Sequence, residues 1–360
     1  MLYHLLYPLR DSFAVCNVLK YITFRSGASF VSSFFFSFLL WHWLKSFFLK
    51  LNLKESVDMY GHVHLEALHK SKKGTPTMGG IILIGAVCFS TFLWAKLTVS
   101  FVIYVLLIML LLGALGFCDD YLKVKRGRPL SRRDKLTVQI LIGVFVGLVI
   151  FLDQNISTTL DVPFFKKAVV DLGVFYVFWA TLVIVATSNA VNFTDGLDGL
   201  AIGGIITNSL VFAGLSYLSG HLKFAQYLFI PYIPDAGELT VICAALLGAG
   251  LAFLWYNSHP AEVFMGDTGA LSLGGGIGVI ALFIKKEFLL IIAGGIFVLE
   301  ALSVVLQILS VRMRNKRIFR AAPLHHHFQL MGWPESKVII RFWIISLICA
   351  VCALLTLKIR

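Results

Sequence analysis

Charged side chains are scarce here: Asp, Glu, Lys and Arg make up 14% of 360 residues, and only 19 are acidic. A soluble domain carries about 25% charged residues, so a water-exposed globule is excluded. Cysteine is sparse as well. The six (Cys16, Cys88, Cys118, Cys243, Cys349, Cys352) are scattered in apolar surroundings, which argues against a disulfide framework. Cys349 and Cys352 lie within "IISLICAVCALL", where helix packing is the plainer reading than redox chemistry. Also missing from "MLYHLLYPLRDSFAVCNVLKYITFRSG" is a short apolar core followed by a small-residue cleavage site. The chain is expected to insert through its own helices.

What is present is apolar: 58% of residues are hydrophobic, 31 of them Phe. Runs of about 20 apolar residues, the length that crosses a bilayer, recur along the whole chain. Backbone groups in lipid must pair within their own segment, so such runs are helices, whereas a barrel would show alternating segments of about 10 residues. The expected fold is all-α, a polytopic integral membrane protein of one embedded domain, 1–360. Ten spans are expected, at 26–44, 78–95, 99–118, 136–152, 172–190, 200–218, 238–256, 269–285, 288–310 and 338–357.

With ten spans both termini share a side, and the loops after odd-numbered spans share the other. Those loops are 45–77, 119–135, 191–199, 257–268 and 311–337, and they hold 19 of the 31 Lys and Arg. Cytoplasmic loops carry the basic excess. These loops are therefore expected in the cytoplasm and both termini outside. Positive-inside bias does not require seven basic residues within 119–135, however, so a phosphate-bearing partner is suggested. The basic loops are not read as a nucleic-acid surface.

Five of the rare acids lie on that same expected side. Asp119 and Asp120 follow the third span, Asp195 and Asp198 the fifth, and Asp267 the seventh. Neighbouring helix residues point about 100° apart, so Asp119 and Asp120 are expected to face different partners rather than form one chelate. Asp195 and Asp198 in "NAVNFTDGLDGLA" would share a face if helical; a cap cluster is the plainer alternative. Asp267 in "FMGDTGALSLGGG" reads equally as a helix N-cap. Glu300 and Gln307 lie about one face of the ninth span, where an acid is functional by default unless it merely pairs with a neighbour.

"APLHHHFQLMGW" sets three histidines side by side. Consecutive residues fan out and cannot converge on one zinc as spaced ligands do; hydrogen bonding or proton carriage into a cleft is the better reading. Carboxylates without thiolates favour a hard cation, Mg²⁺ or Mn²⁺. Together these features suggest phosphoryl transfer at a lipid boundary. A cation-coupled transporter is the reading from another class, and it predicts mid-membrane acids and inverted repeats, whereas the five aspartates gather at helix ends and no repeat is visible.

"GTPTMGG", "GFCDDYLK", "NAVNFTDGLDGLA", "FLWYNSHPAEVFMGDTG", "FVLEALSVVLQ" and "RIFRAAPLHHHFQLMGWPE" resemble the polyprenyl-phosphate N-acetylhexosamine-1-phosphate transferases, in particular the phospho-N-acetylmuramoyl-pentapeptide transferases, over nearly the whole chain from residue 74. The resemblance implies transfer of phospho-N-acetylmuramoyl-pentapeptide from its UDP-linked form to undecaprenyl phosphate, releasing UMP, with Mg²⁺ as cofactor. A relative acting on N-acetylglucosamine-1-phosphate is the nearest alternative. By the resemblance Asp119 and Asp120 form the catalytic acidic pair, and Asp267, with Asp120, holds the metal. Lys72, Thr77, Asn192, Asp195, Asp198, Asn257, Phe264 and Gln307 would line the nucleotide-sugar site. Lys123 and Lys135 would meet phosphates, and His325, His326 and His327 would complete the site, with His325 nearest the pyrophosphate. The expected location is the bacterial inner membrane with the site on its cytoplasmic face, and a homodimer is compatible with the sequence. One departure stands out: before "GTPTMGG", "VDMYGHVHLEALHKSKKG" keeps little of the family's usual pattern.

Overall fold

The computed structural model describes residues 1–50, 74–153, 156–165 and 169–358. In chain order its helices are α1 (Leu2–Leu6), α2 (Ile22–Lys50), α3 (Gly80–Trp94), α4 (Ser100–Arg126), α5 (Arg132–Leu152), α6 (Phe175–Thr194), α7 (Leu200–Ser219), α8 (Leu222–Tyr227), α9 (Leu239–Asn257), α10 (Gly266–Phe283), α11 (Glu287–Ala293), α12 (Gly295–Arg314), α13 (Leu324–Leu330) and α14 (Glu335–Leu355). Among the described residues nine helices are long and apolar enough to cross a membrane, and α3 is a shorter apolar one. The protein is an all-α polytopic membrane protein. Its only sheet among those residues is a small antiparallel pair, β1 (Thr159–Asp161) and β2 (Val169–Asp171), with Leu160 opposite Val170.

Helix α10 is the axis. It is apolar on every side and almost wholly buried, as a helix without a polar face must be, and it packs against α3, α4, α6 and α7. Its close approach to α4 depends on Gly116: a Cβ there would lie 2.2 Å from the Asp267 carbonyl oxygen. One turn further along α4, on the same face, comes Asp120. Missing bulk at one position thus brings an acid at the next against the start of α10.

Two expectations about helix boundaries are corrected. Asp119 and Asp120 do not end their helix: α4 runs on to Arg126 and stops at Gly127 in the left-handed conformation, φ 67°. Lys123, Lys125 and Arg126 occupy the last turn, where cations suit the negative end of the helix dipole. The polar extension is therefore stable, and the acids sit inside a helix rather than at its tip. The ninth span, expected unbroken over 288–310, is two helices, α11 and α12, separated at Gly294 with φ −84° and ψ 21°. Its ψ leaves the helical value near −42°, and the adjacent Gly295 lets α14 come close, since a Cβ there would lie 2.7 Å from Cys349 Sγ.

Loops that share a parity meet one another. Lys135, Asn192 and Asp267, all beyond odd-numbered spans, come together. So do Arg25, Trp94, Lys96 and Glu238 at the opposite helix ends.

Candidate active site

Asp120 is held by the start of α10. Its carboxylate accepts the Thr268 amide at 3.0 Å, the Thr268 hydroxyl at 2.7 Å and the Asp267 amide at 3.2 Å. These amides belong to the first turn, whose N–H groups have no partner within their own helix. An acid from one helix thus caps another. Asp267, read above as an N-cap, occupies that first turn instead, with Met265 at the cap; a negative side chain there is favoured by the dipole.

Asp119 faces the other way around the site. It accepts the Leu130 amide at 2.8 Å and lies 3.9 Å from Lys135 Nζ. Lys135 also donates to Asp267. Asn192, at the end of α6, spans the same pair: with its amide turned to satisfy both, the NH₂ is 3.1 Å from Asp267 and the oxygen 3.1 Å from Lys135 Nζ. One oxygen from each of Asp119, Asp120 and Asp267 lies within 4.8 Å of the others. The expectation that Asp119 and Asp120 would look to separate partners is thus only half the picture. They have different hydrogen-bond partners, but their side chains converge through the shared neighbour Asp267.

That donor set fits a hard divalent cation. Three carboxylate oxygens converge, no sulfur is present, and the Lys135 ammonium already sits where a positive charge is stabilised. Lys123, one turn beyond Asp120, lies within electrostatic reach of Asp267.

Thr77 arrives by a route no periodicity displays. Segment 76–80 pairs with 264–265 through three backbone bonds: Phe264 N–H to the Pro76 carbonyl at 2.9 Å, Gly79 N–H to Phe264 at 2.8 Å and Gly80 N–H to Met265 at 2.9 Å. A Cβ on Gly266 would lie 2.6 Å from Asp120 Oδ2 and 3.1 Å from Thr77 Oγ1. Thr77 therefore lies beside the acids, and half-buried Phe264 belongs to the strand-like partner.

Asp195 and Asp198 do not share a helix face. Helix α6 ends at Thr194, and Gly199 takes φ 77°, so both acids lie in a turn. Asp198 joins a second cluster, accepting from His259 Nδ1 at 2.8 Å and the Ala261 amide at 3.2 Å, while its own amide donates to Glu335 at 3.1 Å. Asp198, His259 and Glu335 are a second group whose ligand atoms lie within 4.8 Å. Sequence reading named neither His259 nor Glu335; their one signal is membership of the quoted "NSHPAEVF" and "GWPE" stretches.

Asn257 and Gln307 are committed to backbone. Asn257 accepts the Gly199 amide at 2.9 Å and donates to the Val263 carbonyl at 2.7 Å. Gln307 accepts the Ile318 and Phe319 amides and donates to the Phe319 carbonyl. Lys72 lies outside the described residues.

The three histidines lie in the first half of α13 and diverge. His325, expected to face the pyrophosphate, is fully buried, with Nδ1 3.2 Å from Glu300 Oε1. His326 is buried against Gln329 at 3.0 Å, and half-buried His327 accepts the Arg320 amide at 3.1 Å. The imidazole aimed most nearly inward is packed away because α13 lies against the buried Glu300 of α12.

Over residues 102–285 the chain matches the family described as glycosyl transferase family 4. Fold and sequence therefore define a membrane-embedded transferase. Residues 72–84 further match phospho-N-acetylmuramoyl-pentapeptide-transferase signature 1. Proteins of that name from Desulforapulum autotrophicum (47% identical), Citrifermentans bemidjiense (48%) and Thermodesulfovibrio yellowstonii (49%) align over their full length with all of this chain. The chain belongs to the phospho-N-acetylmuramoyl-pentapeptide-transferase family. The transporter reading is thereby set aside.

Proposed function

We propose that the protein transfers phospho-N-acetylmuramoyl-pentapeptide from UDP-N-acetylmuramoyl-pentapeptide to undecaprenyl phosphate, the first lipid-linked step of peptidoglycan synthesis. The observation that carries this reading is the convergence of Asp119, Asp120 and Asp267 with Lys135 at one end of the bundle. An oxygen of the lipid phosphate attacks the sugar-linked phosphorus, a new P–O bond forms, and the bond to UMP breaks.

Lys135 and Lys123 offset the phosphate charge, and Asn192 orients Lys135 against Asp267. Asp119, tied to the Leu130 amide, keeps a carboxylate oxygen directed at the attacking phosphate and is the candidate acceptor for any proton it carries. A phosphate's second pKa near 6 leaves most of it ionised at neutral pH, so orientation and charge neutralisation carry more of the rate than proton removal. Asp267, Asp119 and the free lone pairs of Asp120 would hold Mg²⁺, which supplies neutralisation of the pyrophosphate.

In this reading the protein resides in the bacterial inner membrane with the acidic cluster on the cytoplasmic face, where the basic loops lie. Purified protein is expected to release UMP from UDP-N-acetylmuramoyl-pentapeptide only when undecaprenyl phosphate and Mg²⁺ are both supplied. Turnover should cease with a chelator and return on adding Mg²⁺. No UMP under complete conditions sinks the reading. UMP formed from UDP-N-acetylglucosamine instead moves the protein to the neighbouring specificity.

A further inference from the structure

Helix α12 presents two polar side chains about one face, Glu300 and Gln307, two turns apart. Gln307 pins residues 318–319. Glu300 pins the histidine helix: its Oε1 accepts the His325 amide at 3.2 Å and lies 3.2 Å from His325 Nδ1. One helix face thus holds the segment between α12 and α14 at two points, 318–319 and 325.

The glutamate is an expensive way to make that contact. It is fully buried in a membrane-spanning helix, and its Oε2 has no hydrogen-bond partner among the described residues. A carboxylate in such a place is costly, and an unsatisfied buried oxygen adds to the cost. Packing alone would be served better by an apolar residue of similar volume. On the far side of the imidazole lies the turn after α6: a Cβ built on Gly196 would sit 2.3 Å from His325 Nε2. That turn carries Asp195 and Asp198. With Nδ1 3.2 Å from the carboxylate and Nε2 against the turn, the buried ring becomes a spacer between α12 and the turn.

We propose that Glu300 and His325 form a positioning pair that sets the 195–199 turn for the nucleotide-sugar substrate, and that residue 196 is glycine because the imidazole occupies its side-chain space. His325 then acts through the turn rather than by touching the pyrophosphate. The substrate assignment rests on the transferase reading above.

The test uses the full chain in lipid, as Glu300→Ala, Glu300→Gln and Gly196→Ala. Each alanine variant is expected to raise KM for UDP-N-acetylmuramoyl-pentapeptide about tenfold or more, with KM for undecaprenyl phosphate within about twofold of wild type. Glu300→Gln keeps the shape and the acceptor, and should come back to within about threefold. A wild-type nucleotide KM in the alanine variants, or equal rises for both substrates, overturns the pair. Amide hydrogen exchange without substrate gives a readout independent of turnover: exchange should rise in 195–201 and in 324–330 and stay unchanged in α4 and α10. If the wild type makes no UMP, the transferase reading has failed, and exchange alone decides; unchanged exchange in 195–201 then overturns the pair. Should Glu300→Ala not fold, Gly196→Ala carries the same expectations without disturbing the acid.

Discussion

The two ends of the bundle treat charge in opposite ways. At the end opposite the aspartates, buried charges are matched. Arg25 binds Glu238 through two bonds of 2.5 and 2.6 Å, with side chains 0% and 2% exposed, and Lys96 N–H adds a third donor at 3.0 Å. Lys286 pairs with Asp161, and Lys285 reaches Glu287 through the Tyr176 hydroxyl. At the aspartate end, Asp119, Asp120 and Asp267 converge on one another, and the Lys135 ammonium meets two of them, Asp119 and Asp267. Matched pairs lock helix ends together; under the proposed function, the convergent acids leave negative charge for a cation and its phosphate. The same residue types are therefore paired off at one end and gathered at the other.

The largest effect that would sharpen this contrast comes from Asp267→Asn. Turnover should fall by about 10³-fold, the scale of losing a group that stabilises transition-state charge, while the melting temperature changes little. Near-wild-type turnover would remove Asp267 from the site. Arg25→Met should do the converse: leaving Glu238 buried without its partner costs about 3–5 kcal/mol, read as a lower midpoint of thermal unfolding, while turnover per folded molecule stays near wild type. A large fall in turnover of the folded fraction would show that the two ends are not separable. The smallest effect is expected from Thr268→Val, which removes one hydroxyl bond to the Asp120 carboxylate while its amide bond remains. Losing a hydrogen bond to a charged group is worth about 1.5–3 kcal/mol, so a fall of about ten- to a hundredfold in kcat/KM is expected. No change would mean that Asp120 is held by the α10 amides alone.

Much of the fold was legible because a membrane narrows the choices. Apolar runs must be helices, and helices of one length must alternate direction, so loops of the same parity meet; the pairing of Arg25 with Glu238 and of Lys135 with Asp267 follows that rule. The break at Gly294 was not read from the sequence, since α11 and α12 together form one apolar run; in the structure it falls beside the close approach of α14 at Gly295. Nor was the run of α4 through Asp119 and Asp120 to Arg126, because polar residues after an apolar run look like its end until a cap and a dipole partner are seen. For the acids, sequence supplied scarcity and a shared side; it carried no sign that Asp120 would cap α10 or that Asp198 would join His259 and Glu335.

By itself the sequence determined the class of protein: an all-α membrane protein with Asp119, Asp120, Asp195, Asp198 and Asp267 at one set of helix ends, because hydrocarbon forbids unpaired backbone and punishes stray charge. Family motifs narrowed that class to a transferase. Tertiary structure alone decided which polar groups are free to do chemistry. Asn257 and Gln307 are bound to backbone, and His325 is enclosed between Glu300 and Gly196, while Asp119, Asp267 and Lys135 converge. The reason is one of range: hydrophobic patterning is local along the chain, whereas a hydrogen-bond partner from another helix depends on how closely two backbones approach.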